Sequence, residues 1–217
     1  MIRAELALFK AALNKGSYRY LHLISGHDFP IKSQDFIHQF CEQHDGVEFV
    51  HTVKDSKVYG RCRYYWLFRE LPTENIVIRT FKKCLCRGLL YIQRAIEFNR
   101  FRDFCLDSIH YGSQWCSITN DFARYIVANE RFIKQHFRFT NCCDEIYKQT
   151  LLHLSPFKNN VSSDMSNCRL IRFDGIHPVI FDHTNEEELK NSPMLFARKF
   201  DIDKEPQTLL MIKRLTQ

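Results

Sequence analysis

Tyr20-Leu21-His22-Leu23-Ile24-Ser25-Gly26-His27-Asp28-Phe29-Pro30-Ile31-Lys32 is the stretch that decides the fold. With Tyr18 and Arg19 before it, the run over residues 18–25 reads as a buried strand, and Gly26, Asp28 and Pro30 then supply turn chemistry. The preceding segment sets Ile2, Leu6, Phe9 and Leu13 on one helical face. Beyond it, a second helix is predicted from about Ser33 to His44, followed by a strand candidate from Val47 to Val53. Alternation of helix and strand predicts a mixed α/β fold, and a loop directly after a strand is where such folds place ligand contacts.

The rest of the chain keeps this character. A polar, basic connector runs through Arg61 and Arg63 into the aromatic run 64–68. Residues 78–101 mix Ile, Phe, Leu and Tyr with Lys82, Lys83, Arg87, Arg94 and Arg100. Two readings stand open there: a solvated helix packing its apolar stripe inward, or a basic amphipathic surface for an anionic membrane or a substrate groove. Cys116–Thr119 reads as a short strand and Asp121–Asn129 as a helix. Strand candidates follow at Arg169–Phe173 and Pro178–Phe181, then a short helix from Glu186, the basic turn Ala197-Arg198-Lys199-Phe200 and a C-terminal helix.

Composition narrows the class. Hydrophobic residues make up 45% of 217 and aromatics 14%, ample for a large core, while only 7 glycines and 6 prolines leave no linker-like stretch. One domain over residues 1–217 is expected. The 9 cysteines lack the paired spacing of a zinc site and read as reduced, mostly buried thiols. No apolar run approaches the roughly 18 to 20 residues of a membrane span, and no secretory core opens the chain, so a cytoplasmic protein is expected. The net charge of +6 is spread out among 25 acids, which disfavours nucleic-acid binding and suits a phosphorylated small molecule.

Cys143-Asp144-Glu145-Ile146-Tyr147 sets an acidic pair at the expected head of a helix over 144–154. Asp is a favoured helix cap, and an acid in the first turn complements the helix dipole without any chemistry. A carboxylate fixed there with an open side also meets the needs of a general base.

Four ordered blocks then carry a resemblance: residues 20–32, Gly112-Ser113-Gln114-Trp115, Cys143-Asp144-Glu145, and Leu195-Phe196-Ala197-Arg198-Lys199-Phe200-Asp201. Together they resemble the core-2/I-branching glycosyltransferase family, which includes β-1,6-N-acetylglucosaminyltransferases and peptide O-xylosyltransferases. The resemblance runs from the first helix to about Pro206. It implies a glycosyltransferase-A type, Rossmann-like mixed sheet flanked by helices, a UDP-sugar donor, a glycan or peptide acceptor, an inverting reaction, and no metal or other cofactor.

The resemblance also assigns residues. Glu145 matches the catalytic base, with Asp144 beside it as the cap that directs it. Lys199 matches the lysine that contacts the donor diphosphate, and the partner arginine falls at Arg169 or, second, Arg172. Asp28 is expected at the rim as a ligand for sugar hydroxyls, against the alternative of a tight turn in which it bonds the backbone. Gly112 and Ser113 admit a sugar close to the backbone, and Trp115 either stacks on a sugar or belongs to the core. Arg61, Arg63 and Glu48 fall in the region where relatives bind acceptor. Asp201-Ile202-Asp203 spells a motif that elsewhere holds a cation, but here it follows the phosphate-contacting lysine and reads as capping or solvent-facing.

Relatives begin with a strand-loop-helix segment ahead of the first helix met here, so an N-terminally shortened domain that lacks its first strand-helix elements is expected. The competing reading is a catalytically silent relative, or a carbohydrate-binding remnant that keeps the acceptor groove. Peripheral association with a membrane face fits the basic stretch.

Overall fold

The computed structural model describes residues 2–68, 73–101 and 108–217. Met1 and Cys105 lie outside them. The element order is α1 (Ile2–Lys15), β1 (Tyr20–Leu23), β2 (Asp28–Pro30), α2 (Gln34–Gln43), β3 (Phe49–Val50), α3 (Tyr59–Arg63), α4 (Ile76–Ala95), β4 (Cys116–Thr119), α5 (Asn120–Ala128), α6 (Glu130–Phe137), α7 (Tyr147–His153), β5 (Arg169–Ile171), β6 (Phe173–Asp174), β7 (His177–Pro178), α8 (Glu186–Asn191), β8 (Phe196–Arg198) and α9 (Pro206–Leu215). The mixed α/β class agrees with a glycosyltransferase-A type fold.

The chain divides into two compact units. One comprises residues 11–51, 115–124 and 157–217 and holds all the named strands. Its first sheet runs β1-β4-β3, entirely antiparallel, with Tyr20 opposite Thr119 and Leu23 opposite Cys116. All four residues of β4 are buried, as expected of a central strand. Its second sheet runs β2-β8-β5 and is mixed: β2 lies antiparallel to β8, and β5 parallel to it. Pro30 is tolerated because β2 is an edge. Each sheet is packed by an apolar cluster, one around Tyr20, Cys41, Phe49, Leu195 and Phe196, the other around Ile31, Phe181, Ala197, Phe200 and Met211.

Local chemistry sets the helix ends in this unit. Ser33 accepts the Phe36 amide at 3.3 Å and caps α2, and Pro206 opens α9, where its missing N–H has no intrahelical partner to lose. Two segments differ from expectation. By its residues Asp28–Pro30 is a loop and Ala197-Arg198 a turn, yet they face each other as strands, Asp28 opposite Arg198. Three-residue strands leave too short an alternation to distinguish from turns.

The other unit comprises residues 1–10, 52–114 and 125–156 and is helical among its described residues. Backbone and arginine bonds tie its connectors together. Asn141 N donates to Arg61 O at 3.2 Å, Trp66 N to Phe139 O at 2.9 Å, and Arg100 Nη2 to His136 O at 2.6 Å. The Arg100 guanidinium lies 4.4 Å from the Tyr65 ring centre, a desolvated cation–π contact. α4 departs from the inward-stripe reading, since of its residues only Leu90 is buried. Among the described cysteines, all of them free thiols, Cys41, Cys62, Cys116 and Cys168 are buried while Cys84 and Cys142 are exposed.

Candidate active site

Glu145 sits in a short 3-10 turn, Cys143–Glu145, entered through Cys142 in the left-handed region at φ 50°. The expected cap by Asp144 does not form, because that tight entry uses up the turn and α7 starts only at Tyr147, with no side-chain cap. Asp144 instead offers its carbonyl, which accepts from Lys148 Nζ at 3.2 Å. The Glu145 backbone is held on both sides: its N–H donates to Cys142 O at 3.1 Å and its carbonyl accepts from Gly112 N at 2.8 Å.

The Glu145 side chain is half-exposed, and Oε2 accepts from Arg61 Nη1 at 2.9 Å. Among the described residues, Oε1 carries no hydrogen bond. One carboxylate oxygen is thus fixed and the other is open. Sequence reasoning missed this partner, 84 residues away; the neighbouring Arg63 instead binds Phe98 O at 3.3 Å.

Beneath the turn, α7 presents polar residues to the interior. Lys148, Gln149 and Thr150 are fully buried. Lys148 Nζ meets Glu5 Oε2 at 2.5 Å, Tyr147 Oη donates to the same oxygen at 2.6 Å, and Gln114 Nε2 donates to Glu5 Oε1 at 3.0 Å. Gln149 Nε2 binds Ser113 O at 2.8 Å, and Thr150 Oγ1 accepts from His110 N at 3.1 Å. These bonds staple residues 110–114 to the helix behind Glu145, which is how Gly112 and Ser113 come to flank the base. The His110 and His153 rings stack at 3.5 Å beside them, and burial, with His110 next, lowers the His153 pKa to about 4. A signal for Glu5 existed: it falls on the same face of α1 as Ile2, Leu6 and Phe9, where an unpaired acid would be costly.

A second cluster lies wholly in the strand-bearing unit. Asp28 has a buried side chain whose Oδ2 accepts from Ser25 N, the geometry of the tight-turn reading, and whose Oδ1 lies 3.4 Å from Arg198 Nε. The Arg198 guanidinium lies 4.5 Å from the Trp115 ring centre, so Trp115 is faced by a cation rather than packed as core. Arg169 is buried, with Nη1 donating to Ser117 Oγ at 2.8 Å and to Asn167 O, and Nη2 to Cys116 O at 2.8 Å and Leu23 O at 3.1 Å. Burial lowers the pKa of both arginines; Asp28 opposes that shift in Arg198, and Cys116, Cys168 and then Asp28 oppose it in Arg169. His22, bonded to the same Ser117 at 2.7 Å, is pushed down to about 4 by burial and then by Arg169.

Two buried donors in this cluster, Arg169 Nε and Arg198 Nη1, have no acceptor among the described residues. Lys199 follows β8, half-buried, and its ammonium makes no ion pair among the described residues. One acid, Asp28, therefore faces two arginines, with Lys199 next along the chain from Arg198, an arrangement suited to an anion. Arg172 stands apart from it, paired with Glu188 at 2.8 Å on the surface. Asp201 is paired with Lys204 at 3.2 Å, and among the described residues no three His, Cys, Asp or Glu side chains gather as metal ligands. Glu48 is buried as an internal acceptor for Thr119 N and Oγ1, at 2.9 and 2.5 Å, and no longer reads as an acceptor-binding residue.

The family model described as Core-2/I-Branching enzyme matches residues 1–192, spanning both clusters except for Arg198 and Lys199. No curated protein sequence matches the chain. A match over most of the chain shows the family, and with it glycosyl transfer from a nucleotide sugar to a glycan in general. The chain belongs to the Core-2/I-branching enzyme family of glycosyltransferases.

Proposed function

We propose that the chain transfers N-acetylglucosamine or xylose from a UDP-sugar to a hydroxyl of a glycan or peptide acceptor, with inversion and without a metal. Glu145 Oε1 takes the proton of the acceptor hydroxyl as its oxygen attacks the anomeric carbon. The bond from that carbon to the diphosphate breaks on the opposite face, and its electron pair leaves with UDP. The observation that carries this reading is the Glu145 carboxylate with Oε2 clamped by Arg61 and Oε1 open. A general base needs that combination of fixed direction and free acceptor. Gly112 and Ser113, bonded into the same turn, give the acceptor sugar a close approach to the backbone.

On the donor side, negative charge grows on the departing diphosphate and is stabilised by fixed cations. Lys199 supplies a point charge, and Arg169 and Arg198 supply buried N–H groups that lack acceptors among the described residues. Asp28 holds Arg198 in direction as its counter-ion, and Trp115 supports it from below. Arg172, already paired with Glu188, is the weaker choice for the diphosphate. The test is release of UDP from UDP-sugar by the purified chain in excess chelator. Turnover that survives chelation supports the reading, and an absolute need for manganese contradicts it.

A further inference from the structure

Helix α4 turns its apolar side away from the protein. At about 100° per residue, Val77, Phe81, Leu85, Tyr91 and Ile92 share one half of its circumference with Cys84. Val77 is 71% exposed, Phe81 67% and Tyr91 75%. The helix is docked through the other half: Leu90 is buried, and Gln93 exchanges two hydrogen bonds with the Tyr65 backbone, at 2.8 and 3.1 Å. An ordinary surface helix is arranged the other way round.

Charge says what covers this face. The helix holds Arg79, Lys82, Lys83, Arg87 and Arg94 and no acid. Lys82 flanks the apolar half on one side, and Lys83, Arg87 and Arg94 flank it on the other. Long cationic stems on both flanks of an aromatic-bearing apolar face match a helix lying in the interface of an anionic bilayer. Pairing with a second copy would bring two strongly cationic helices face to face, which like-charge repulsion opposes. Among the described residues no helix is long and apolar enough to cross a membrane, so the contact is peripheral.

We infer that α4 docks the protein on an anionic lipid surface, with Phe81, Tyr91 and Ile92 in the acyl boundary and Lys82, Lys83, Arg87 and Arg94 among the headgroups. The test is cosedimentation with vesicles of phosphatidylcholine alone and of phosphatidylcholine with phosphatidylglycerol, at low and high salt. Binding to the anionic vesicles is expected to exceed binding to neutral ones by about tenfold or more and to fall as salt rises. The double substitution Phe81→Ser with Ile92→Ser, and separately Lys83→Glu with Arg87→Glu, should each remove most of it with an unchanged unfolding midpoint. If those variants do not fold, the lipid and salt dependence of the unaltered protein still decides. Equal binding to both vesicles, or none, overturns the inference. So does a lipid-independent dimer in sedimentation velocity that Phe81→Ser with Ile92→Ser dissolves.

Discussion

Arg61 Nη1 lies 2.9 Å from Glu145 Oε2, joining two residues 84 positions apart in a half-exposed ion pair. An exposed pair of this kind adds little to stability, so its consequence is direction: it fixes the oxygen that is not used and leaves the other to the substrate. Arg61 is a positioning residue in this account. Arg61→Ala is expected to lower kcat by about 10- to 100-fold with KM changed far less, and Arg61→Lys to recover part of the loss. Steady-state kinetics on the three proteins checks it; a change confined to KM would assign Arg61 to substrate binding instead.

Lys148 and Glu5 form a buried ion pair with Tyr147 and Gln114 on the same carboxylate. Lys148→Met leaves that carboxylate buried without its cation and should cost about 3–5 kcal/mol. Urea unfolding measures it. Adding Glu5→Gln should restore part of the stability, because the uncompensated charge is then gone.

Burial raises the Glu48 carboxyl from its ordinary value of 4.5 to about 7, against the opposing hydrogen bonds from Thr119. Its folded value lies above its unfolded one, so the folded state binds the extra proton in that window. Stability is then greatest below about 4.5 and is lost as pH rises toward 7. Glu48→Gln cannot ionise and should gain on the unaltered protein by on the order of 3 kcal/mol across this range. Unfolding curves of both proteins, pH by pH, give the difference, and His22, common to both, cancels.

Lys199→Ala should weaken UDP binding by roughly tenfold, since a charge-assisted contact to phosphate is lost while no ion pair among the described residues is broken. Arg172→Ala serves as the comparison and should stay within about twofold, its cation being engaged at the surface by Glu188. Isothermal titration with UDP separates them. Equal losses at both positions would move the diphosphate contact toward Arg172.

Helices α1 and α2 and the two mostly buried four-residue strands β1 and β4 were legible in the sequence, within a few residues of expectation. The three-residue strands β2 and β8 were not, since Asp28–Pro30 and Phe196–Arg198 owe their conformation to each other rather than to local pattern. α6 gave no usable signal ahead of the acidic pair. The α4 periodicity was visible, but periodicity reports that a helix has an apolar side, not which way the side faces. At the site, the candidate base and the lysine stood out as residues. The pairings of Arg61 with Glu145 and of Arg198 with Asp28 did not, because contacts across the fold leave no spacing to read.

Transfer by Glu145→Gln tests the central claim most directly. Glutamine keeps the shape of the side chain but cannot accept the acceptor hydroxyl's proton as a carboxylate does. With donor and acceptor saturating, transfer should fall by at least about 10²- to 10⁴-fold while the UDP dissociation constant, measured on the same preparation, stays unchanged. Transfer at the rate of the unaltered protein would contradict Glu145 as the base.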